Sequence, residues 1–139
     1  MTVKHLDHLN MTVHDLEETA AWYGRVFGFV VVERGRSRDG TPFAILRSGE
    51  AMLCVYEHPE RGRLTDEARD DLPVHGLSHF ALRITDGAAW ERTVAAQGLE
   101  VRYGGAVRWP RSTSWYVCDP SGYELEVVLW NDDTVRFAG

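Results

Sequence analysis

The chain contains an internal repeat, which limits the folds open to it. The segment Leu6-Asp7-His8-Leu9-Asn10-Met11-Thr12-Val13 is echoed 71 residues later by Leu77-Ser78-His79-Phe80-Ala81-Leu82-Arg83-Ile84, with His8 and His79 in register. Seven residues after each histidine stands an aspartate, Asp15 or Asp86, ahead of a helix-like stretch. In a chain of 139 residues this offset predicts two copies of one supersecondary unit. A histidine at the equivalent place in each half suggests a site shared by both.

Each half is predicted to form a strand, a helix and three further strands. The first half has a helix that follows the N-cap Asp15 and ends at Gly28, with strands over residues 3–13, 29–33, 43–47 and 51–56 and a turn over 34–40. The second half has a helix over 86–97 closed by Gly98, with strands over 77–84, 99–103, 114–118 and 123–130. We therefore expect one domain over 1–139, made of a module at 3–57, a linker at 58–74 with a short exposed helix at 66–70, a module at 75–130 and a tail at 131–139.

The composition excludes some classes of partner. The net charge of −6, with Lys4 the single lysine, argues against a nucleic-acid partner because no basic face is available. No apolar run is long enough to span a membrane, and residues 1–10 lack the apolar core of a signal peptide. Cys54 and Cys118 lie in apolar strand-like runs and are expected to be reduced. These features predict a cytoplasmic protein without membrane or nucleic-acid partners.

Strand alternation predicts that three ligating side chains share one surface. In the last strand the apolar face is formed by Leu125, Val127 and Leu129, which leaves Glu124 and Glu126 on the other face. His8 and His79 likewise lie opposite the apolar faces of their own strands. If each half curls into a sheet, two imidazoles and a carboxylate converge, and such a set leaves coordination positions open, as in non-haem Fe(II) oxygenases. Glu124 has the same parity and is the rival ligand.

The order of these motifs resembles the vicinal oxygen chelate superfamily, which includes glyoxalases, bleomycin-resistance proteins, fosfomycin-resistance transferases and extradiol dioxygenases. The resemblance covers almost the whole chain and rests on four segments: Leu6-Asp7-His8-Leu9; Trp22-Tyr23 with Phe27-Gly28-Phe29; Ser78-His79-Phe80-Ala81; and Trp115-Tyr116-Val117-Cys118-Asp119-Pro120-Ser121-Gly122-Tyr123-Glu124-Leu125-Glu126. It implies an α+β fold of two tandem βαβββ modules, with a cupped mixed sheet and helices on its outer face. It also implies a divalent metal held by His8, His79 and Glu126, and a homodimer.

Differences between this sequence and the motifs of known family members disfavour some of the family's functions. Glyoxalase-type sites add a glutamate from the last strand of the first half, where alignment places Leu53, which disfavours a four-ligand glyoxalase. The fosfomycin transferases use a threonine where this chain has Asn10, and their loop lysine has no counterpart. Arg108, Arg111 or Arg136 is a candidate to bind an anionic substrate instead, and Arg83 is a further substrate-binding candidate.

The extradiol dioxygenase signature is matched loosely. Trp115-Tyr116, the turn Asp119-Pro120-Ser121-Gly122 and Glu126 fit it, but its acid–base histidine falls near Trp109, which puts catechol ring cleavage in doubt. Tyr116 is a candidate hydrogen-bond donor or acid and Glu124 a candidate base. Tyr103 and Trp109 are candidates for an aromatic substrate pocket to which Asn10 and the arginines also contribute.

We therefore predict a metal-dependent enzyme acting on a small chelating molecule, with dioxygenase-type chemistry preferred. Fe²⁺ is the favoured ion, and Mn²⁺, Zn²⁺ and Ni²⁺ are the alternatives. The competing functions are a glyoxalase- or fosfomycin-resistance-type lyase, an isomerase with Glu124 as base, a thiol transferase, or a bleomycin-type drug-binding protein without catalysis.

Overall fold

The computed structural model describes residues 1–71 and 73–136; the part of the predicted linker at Leu72 and the part of the predicted tail at 137–139 lie outside the described residues. Along the chain the elements are β1 (Leu9–Val13), α1 (Leu16–Phe27), β2 (Val30–Arg36), β3 (Pro42–Ser48), β4 (Ala51–Glu57), α2 (Asp66–Asp70), β5 (Phe80–Ile84), α3 (Gly87–Gln97), β6 (Val107–Arg108), β7 (Ser112–Cys118) and β8 (Glu124–Trp130). The predicted α+β fold of two tandem βαβββ modules is confirmed.

Two compact units are formed, Met1–Arg63 and the remainder from Leu64. The first contains a four-stranded sheet in the order β1-β4-β3-β2, and the second a sheet in the order β5-β8-β7-β6. In each sheet the first strand pairs in parallel with the last and the other pairs are antiparallel. The two units therefore have the same topology, as the repeat predicts. No helix among the described residues is both long enough and apolar enough to cross a membrane.

The helix ends follow local chemistry that the sequence shows directly. Asp15 caps α1 by accepting from the Glu18 backbone N–H, and Asp86 caps α3 by accepting from the Ala89 N–H. Gly28 and Gly98 end these helices in the left-handed conformation, with φ of 68° and 59°. The N-cap Asp15 and the glycine ends of both helices match the prediction, and the second helix begins one residue later than predicted, at Gly87.

The cores of the two units lie between sheet and helix. In the first unit α1 packs on the sheet through Leu16, Tyr23 and Val26, which are buried. In the second, the start of α3 lies against Leu129 and Trp115, since a Cβ on Gly87 would meet both side chains. Because side chains alternate along a strand, this places Leu125, Val127 and Leu129 on the helix side of β8 and Glu124 and Glu126 on the opposite face.

Several predicted strands were wrong at their ends. Residues 3–8 and 77–79 are not strand, so β1 and β5 begin only at Leu9 and Phe80, and His8 and His79 each stand just ahead of a strand. The first-half turn predicted over 34–40 begins later, because β2 continues to Arg36 by pairing with β3. Alternation of apolar residues fits these segments, but strand formation also needs a hydrogen-bonded neighbour.

The strand predicted over residues 99–103 is absent. That stretch is a loop ending in Tyr103-Gly104-Gly105, all three with positive φ, and the edge strand of the second sheet is instead β6, Val107–Arg108. The Gly pair permits a loop conformation that an extended strand does not contain. This loop brings Arg102 and Tyr103 to the face of the sheet that carries the two glutamates.

Candidate metal centre and substrate cavity

His79 and Glu126 form the centre of the candidate site in the second unit. The Nε2 atom of His79 lies 3.2 Å from Oε2 of Glu126. Divalent-metal bonds to imidazole nitrogen and carboxylate oxygen are about 2.1 Å long, so neighbouring ligands of one ion have donor atoms roughly 3.0–3.4 Å apart. The separation of these two atoms therefore fits two ligands of a single metal ion.

Glu126 is a buried carboxylate with one oxygen already fixed. The hydroxyl of Ser114, on the neighbouring strand β7, donates a short hydrogen bond to Glu126 Oε1. No lysine or arginine pairs with Glu126 among residues 1–71 and 73–136, and only 7% of the residue is exposed. A buried carboxylate without a cation is costly unless another positive group compensates it. A metal ion bound at the Oε2 atom of Glu126, which faces His79, would compensate this charge.

Glu124 has the same strand parity but a different set of partners. Its Oε2 accepts from the Tyr103 hydroxyl at 2.7 Å and lies 3.1 Å from Nε of Arg102. Its Oε1 lies 3.8 Å from Nδ1 of His79. The two carboxylates thus face different nitrogens of one imidazole, and Glu124 is the one already neutralised by a cation.

An aromatic cavity of about 350 Å³ adjoins these side chains, lined by His79, Tyr103, Val107, Trp109, Tyr116 and Glu124. The Tyr116 ring stands edge-on to both His79, at 5.7 Å between centroids, and Tyr103, at 5.1 Å. Tyr103 has φ of 54°, which is uncommon for a residue with a Cβ. Its hydrogen bond to Glu124 favours this conformation and holds the ring at the cavity wall.

The tyrosines of the cavity are proton donors at neutral pH. The hydrogen bond to Glu124, together with burial, raises the pKa of Tyr103 above its ordinary value. Burial, followed by the negative charge of Glu126, raises the pKa of Tyr116. Both phenols are therefore protonated at neutral pH, and the single hydroxyl proton of Tyr103 is donated to Glu124.

The three arginines nominated as substrate-binding residues have other partners. Arg83 pairs with Asp133 at 2.8 Å and Arg111 with Asp132 at 3.1 Å. Arg108 donates to the Thr113 hydroxyl at 3.0 Å. None of the three lines the aromatic cavity. Of the substrate-binding candidates in the second unit, the cavity brings together Tyr103 and Trp109.

His8 and Asn10 lie in the first unit. The imidazole of His8 is exposed and its Nδ1 lies 2.8 Å from Asp7 Oδ2, so that Nε2 is the nitrogen opposite this contact. Asn10 is exposed on β1 and stands opposite Cys54 of β4.

The strand register corrects one alignment. In the second unit Ala81 pairs with Glu126, and the repeat-equivalent residue Asn10 pairs with Cys54. Cys54, and not Leu53, therefore occupies the position that corresponds to Glu126. Leu53 is 3% exposed and belongs to the core. Burial, followed by the charges of Asp7 and Glu33, raises the pKa of the Cys54 thiol, which keeps it protonated at neutral pH. The first unit offers no carboxylate at this position.

Two residues of the site were not identified from the sequence in the roles that the structure gives them. Ser114 has the same parity as Tyr116 on β7, and this alternation was the available signal. From the sequence, Arg102 could be identified only as a member of an arginine-rich loop. Its contact with Glu124 could not be predicted, because it depends on the course of that loop. Ser112 shares the face of Ser114, and its buried hydroxyl has no hydrogen-bond partner among the described residues.

Ser112 and Ser114 provide a matched pair of substitutions. We expect Ser114→Ala to lower the free energy of unfolding by about 1.5–3 kcal/mol, because a hydrogen bond to a charged group is lost. Ser112→Ala removes no hydrogen bond and is expected to change it by less than about 1 kcal/mol. Urea denaturation at neutral pH measures both values. Equal effects of the two substitutions would contradict the role given to Ser114.

The whole chain was compared with known proteins. A family model described as the Glyoxalase/Bleomycin resistance protein/Dioxygenase superfamily matches residues 5–127, and the chain belongs to this superfamily. No curated protein sequence matches it significantly.

Solved structures show the same fold. A glyoxylase/bleomycin resistance protein/dioxygenase domain from Frankia sp. EAN1pec is 25% identical, with a TM-score of 0.76 and coverage of 96% of each chain. A lactoylglutathione lyase from Agrobacterium tumefaciens is also 25% identical, with a TM-score of 0.66 and coverage of 93% of this chain and 96% of that one. A fosfomycin resistance protein from Mesorhizobium loti, 18% identical with a TM-score of 0.63 and coverage of 94% of each chain, shares the fold.

Proposed function

We propose that this protein is a metal-dependent enzyme in which His8, His79 and Glu126 bind one divalent ion, and that it catalyses a dioxygenase-type oxidation of a small chelating molecule. The observation that carries the proposal is the distance of 3.2 Å between His79 Nε2 and Glu126 Oε2, combined with the burial of Glu126 without an arginine or lysine partner among the described residues. Members of the superfamily are often metal-dependent enzymes, which agrees with it.

The donor set favours an ion with open coordination positions. Among the described residues no group of three or more His, Cys, Asp or Glu side chains is placed to hold a metal ion, so the pair in the second unit needs a further ligand. His8 is our candidate, from the same chain or from the second copy in a homodimer. Two imidazoles and one carboxylate suit Fe²⁺, with Mn²⁺, Zn²⁺ or Ni²⁺ as alternatives. When bound, the ion supplies Lewis acidity and a common binding site for the substrate oxygens and O2.

Side chains of the second unit would orient the substrate and supply protons. Tyr116, whose ring stands edge-on to His79, would donate a hydrogen bond to a substrate oxygen, and Tyr103 binds Glu124 through its hydroxyl. Glu124, a carboxylate at the cavity wall, is the candidate to accept a proton from a substrate hydroxyl. Trp109 and Val107 line the rest of the cavity and would provide an apolar surface for the substrate.

The cavity favours a planar or largely apolar substrate over a multiply charged anion. Three aromatic rings line the cavity. Arg83, Arg108 and Arg111 do not line it and are bound to Asp133, Thr113 and Asp132. Its volume of about 350 Å³ suits a small molecule. Aromatic or unsaturated compounds with two neighbouring oxygens combine a chelating end with a face that packs on Trp109 and Tyr103. These features disfavour a phosphonate substrate of the fosfomycin type.

A lyase or isomerase is the second candidate function. The similarity to the lactoylglutathione lyase of Agrobacterium tumefaciens, at 25% identity, favours it. The protonated Cys54 thiol, at the position where a second glutamate would complete a four-ligand glyoxalase site, argues against it. For this reason we rank oxidation first.

Metal analysis and O2 uptake test the proposal. We expect protein purified anaerobically without a tag to bind about one Fe²⁺ per His79–Glu126 pair, and to consume O2 when catechol-like or hydroxy-acid compounds are added. Incorporation of both atoms of ¹⁸O2 into the product would identify a dioxygenase. The control is Glu126→Gln loaded in the same way, which should not consume O2.

Three other outcomes contradict this function. Stoichiometric Mn²⁺, Zn²⁺ or Ni²⁺ without O2 uptake, together with exchange of substrate hydrogen in D2O, would indicate a lyase or isomerase. The same metals with addition of a thiol to the substrate would indicate a transferase. Absence of metal binding under all loading conditions would indicate a drug-binding protein.

A further inference from the structure

Arg102 connects three separate elements of the second unit through its guanidinium group. Its Nε lies 3.1 Å from Glu124 Oε2 on β8, and Nη2 donates to Asp66 Oδ1 on α2 at 2.7 Å. Its Nη1 lies 3.1 Å from the sulfur of Cys118 on β7. The Arg102 backbone N–H donates to the Tyr116 carbonyl at 2.9 Å. A planar group with all three nitrogens engaged has one orientation, and a lysine could not reproduce it.

The Asp66 end of this bridge is anchored independently. Asp66 begins α2, and this helix is attached to the turn before β8 by Arg69, which donates to the Gly122 carbonyl at 2.6 Å. The Leu64 N–H donates to the Ser121 carbonyl at 2.8 Å. The short helix in the predicted linker is thus fixed to the second unit, where it presents Asp66 to Arg102.

The Glu124 end lies beside the candidate metal centre. Glu124 and Glu126 are two residues apart on one strand face; Glu126 Oε2 lies 3.2 Å from Nε2 of His79, and Glu124 Oε1 faces Nδ1 at the longer distance of 3.8 Å. Either carboxylate has the reach to compete for an ion at His79. Arg102 and Tyr103 both contact the same oxygen of Glu124, whereas Glu126 Oε2 has His79 as its contact.

We propose that Arg102 is a positioning residue that retains Glu124 as the outer partner of His79 and so leaves Glu126 as the metal-binding carboxylate. The inference rests on the proposed function, since it concerns the same metal centre. Partners of ligating histidines orient the imidazole, and their loss commonly weakens metal binding 10–100-fold. Removing Arg102 would leave the buried Glu124 carboxylate without its cation and let it move away from Nδ1 of His79, so that the imidazole would lose the partner that orients it.

A double-mutant cycle with Co²⁺ as the probe tests this role. We expect Arg102→Gln to weaken Co²⁺ binding about 10–100-fold in titration calorimetry and to change the visible absorption spectrum of the bound ion. In the Glu124→Gln background the same substitution should have little further effect, because it acts through Glu124. The spectrum of the double variant should match that of Glu124→Gln alone. Arg92→Gln, on the exposed side of α3, is the control and should match the unmodified protein.

Asp66→Asn provides a second variant if Arg102→Gln does not fold. The Asp66 side chain is exposed, and its Oδ1 accepts from both Arg102 and Arg69, so the substitution weakens the anchor of Arg102 and one contact of Arg69 while leaving the Glu124 side chain unchanged. A smaller weakening of Co²⁺ binding in the same direction would support the proposal.

Several outcomes would overturn the role of Arg102. Additive effects of Arg102→Gln and Glu124→Gln would show that Arg102 acts on the fold generally. Loss of Co²⁺ in Glu124→Gln with retention in Glu126→Gln would identify Glu124 as the ligand. If the unmodified protein binds Co²⁺ and Arg102→Gln binds it with the same affinity and spectrum, the role of Arg102 is refuted but the proposed function is not. Failure of the unmodified protein to bind Co²⁺ would refute the proposed function as well.

Discussion

Glu126→Gln and His79→Ala are each expected to weaken the binding of Fe²⁺ or Co²⁺ by more than about 100-fold while the protein remains folded. Loss of an outer partner costs up to about 100-fold, and loss of a direct ligand should exceed that. His8→Ala is expected to act in the same direction, as the third ligand. The fold should survive because the amide in Glu126→Gln keeps an acceptor for the Ser114 hydroxyl and removes a buried charge.

Metal content by elemental analysis and affinity by calorimetry measure this effect. His75→Ala is the control, since it removes an exposed histidine four residues before His79 and should leave metal binding unchanged. Circular dichroism confirms that each variant is folded. Retention of stoichiometric metal in His8→Ala, His79→Ala and Glu126→Gln alike would refute the ligand set.

Gly122→Ala is expected to lower the free energy of unfolding by more than about 4 kcal/mol. Gly122 has φ of 91°, and a Cβ there would lie 2.0 Å from the backbone oxygen of Leu64. Two backbone segments would have to separate, because neither is a flexible side chain. The hydrogen bond from Leu64 to Ser121 and the contact of Arg69 with Gly122 would be disturbed together.

Gly40→Ala is a matched control for this substitution. Gly40 has φ of 86°, but a Cβ there would meet no atom within 4 Å, so only the conformational cost of about 1–2 kcal/mol applies. Urea denaturation and the melting temperature measure both variants. Equal destabilisation would contradict the close approach of residues 64 and 122. A stable Gly122→Ala protein with weakened Co²⁺ binding would indicate instead that the contact mainly positions α2 and Asp66.

The sequence was sufficient for the topology because the required signals are local. Asp15 and Gly28 mark the ends of one helix, and Asp86 and Gly98 mark those of the other. The repeat then required both halves to have the same order of elements, and in the structure both sheets pair their first strand in parallel with their last. The short helix α2 was also predicted at the observed residues, 66–70, where Thr65 is its N-cap.

Hydrogen-bonded pairing between strands decided features of the fold that the local sequence pattern did not predict. Residues 99–103 have a strand-like composition, yet the observed edge strand is Val107–Arg108, because the loop before it is turned by Tyr103, Gly104 and Gly105. The register likewise placed Cys54 rather than Leu53 opposite Asn10, a distinction of one residue that alternation alone does not make.

For the candidate site, the sequence by itself determined which side chains are available and on which strand face they lie. The shared face of Glu124 and Glu126 follows from period-two alternation, which is a property of the strand, whereas His79 stands just ahead of β5. Tertiary structure decided how the two carboxylates differ. Arg102 and Tyr103 reach Glu124 through a loop, and Ser114 reaches Glu126 across a strand pair, so that one glutamate is neutralised while the other faces His79 Nε2. The Ser114 and Tyr103 hydrogen bonds join residues 12 and 21 positions apart in the chain, and only folding brings such residues together.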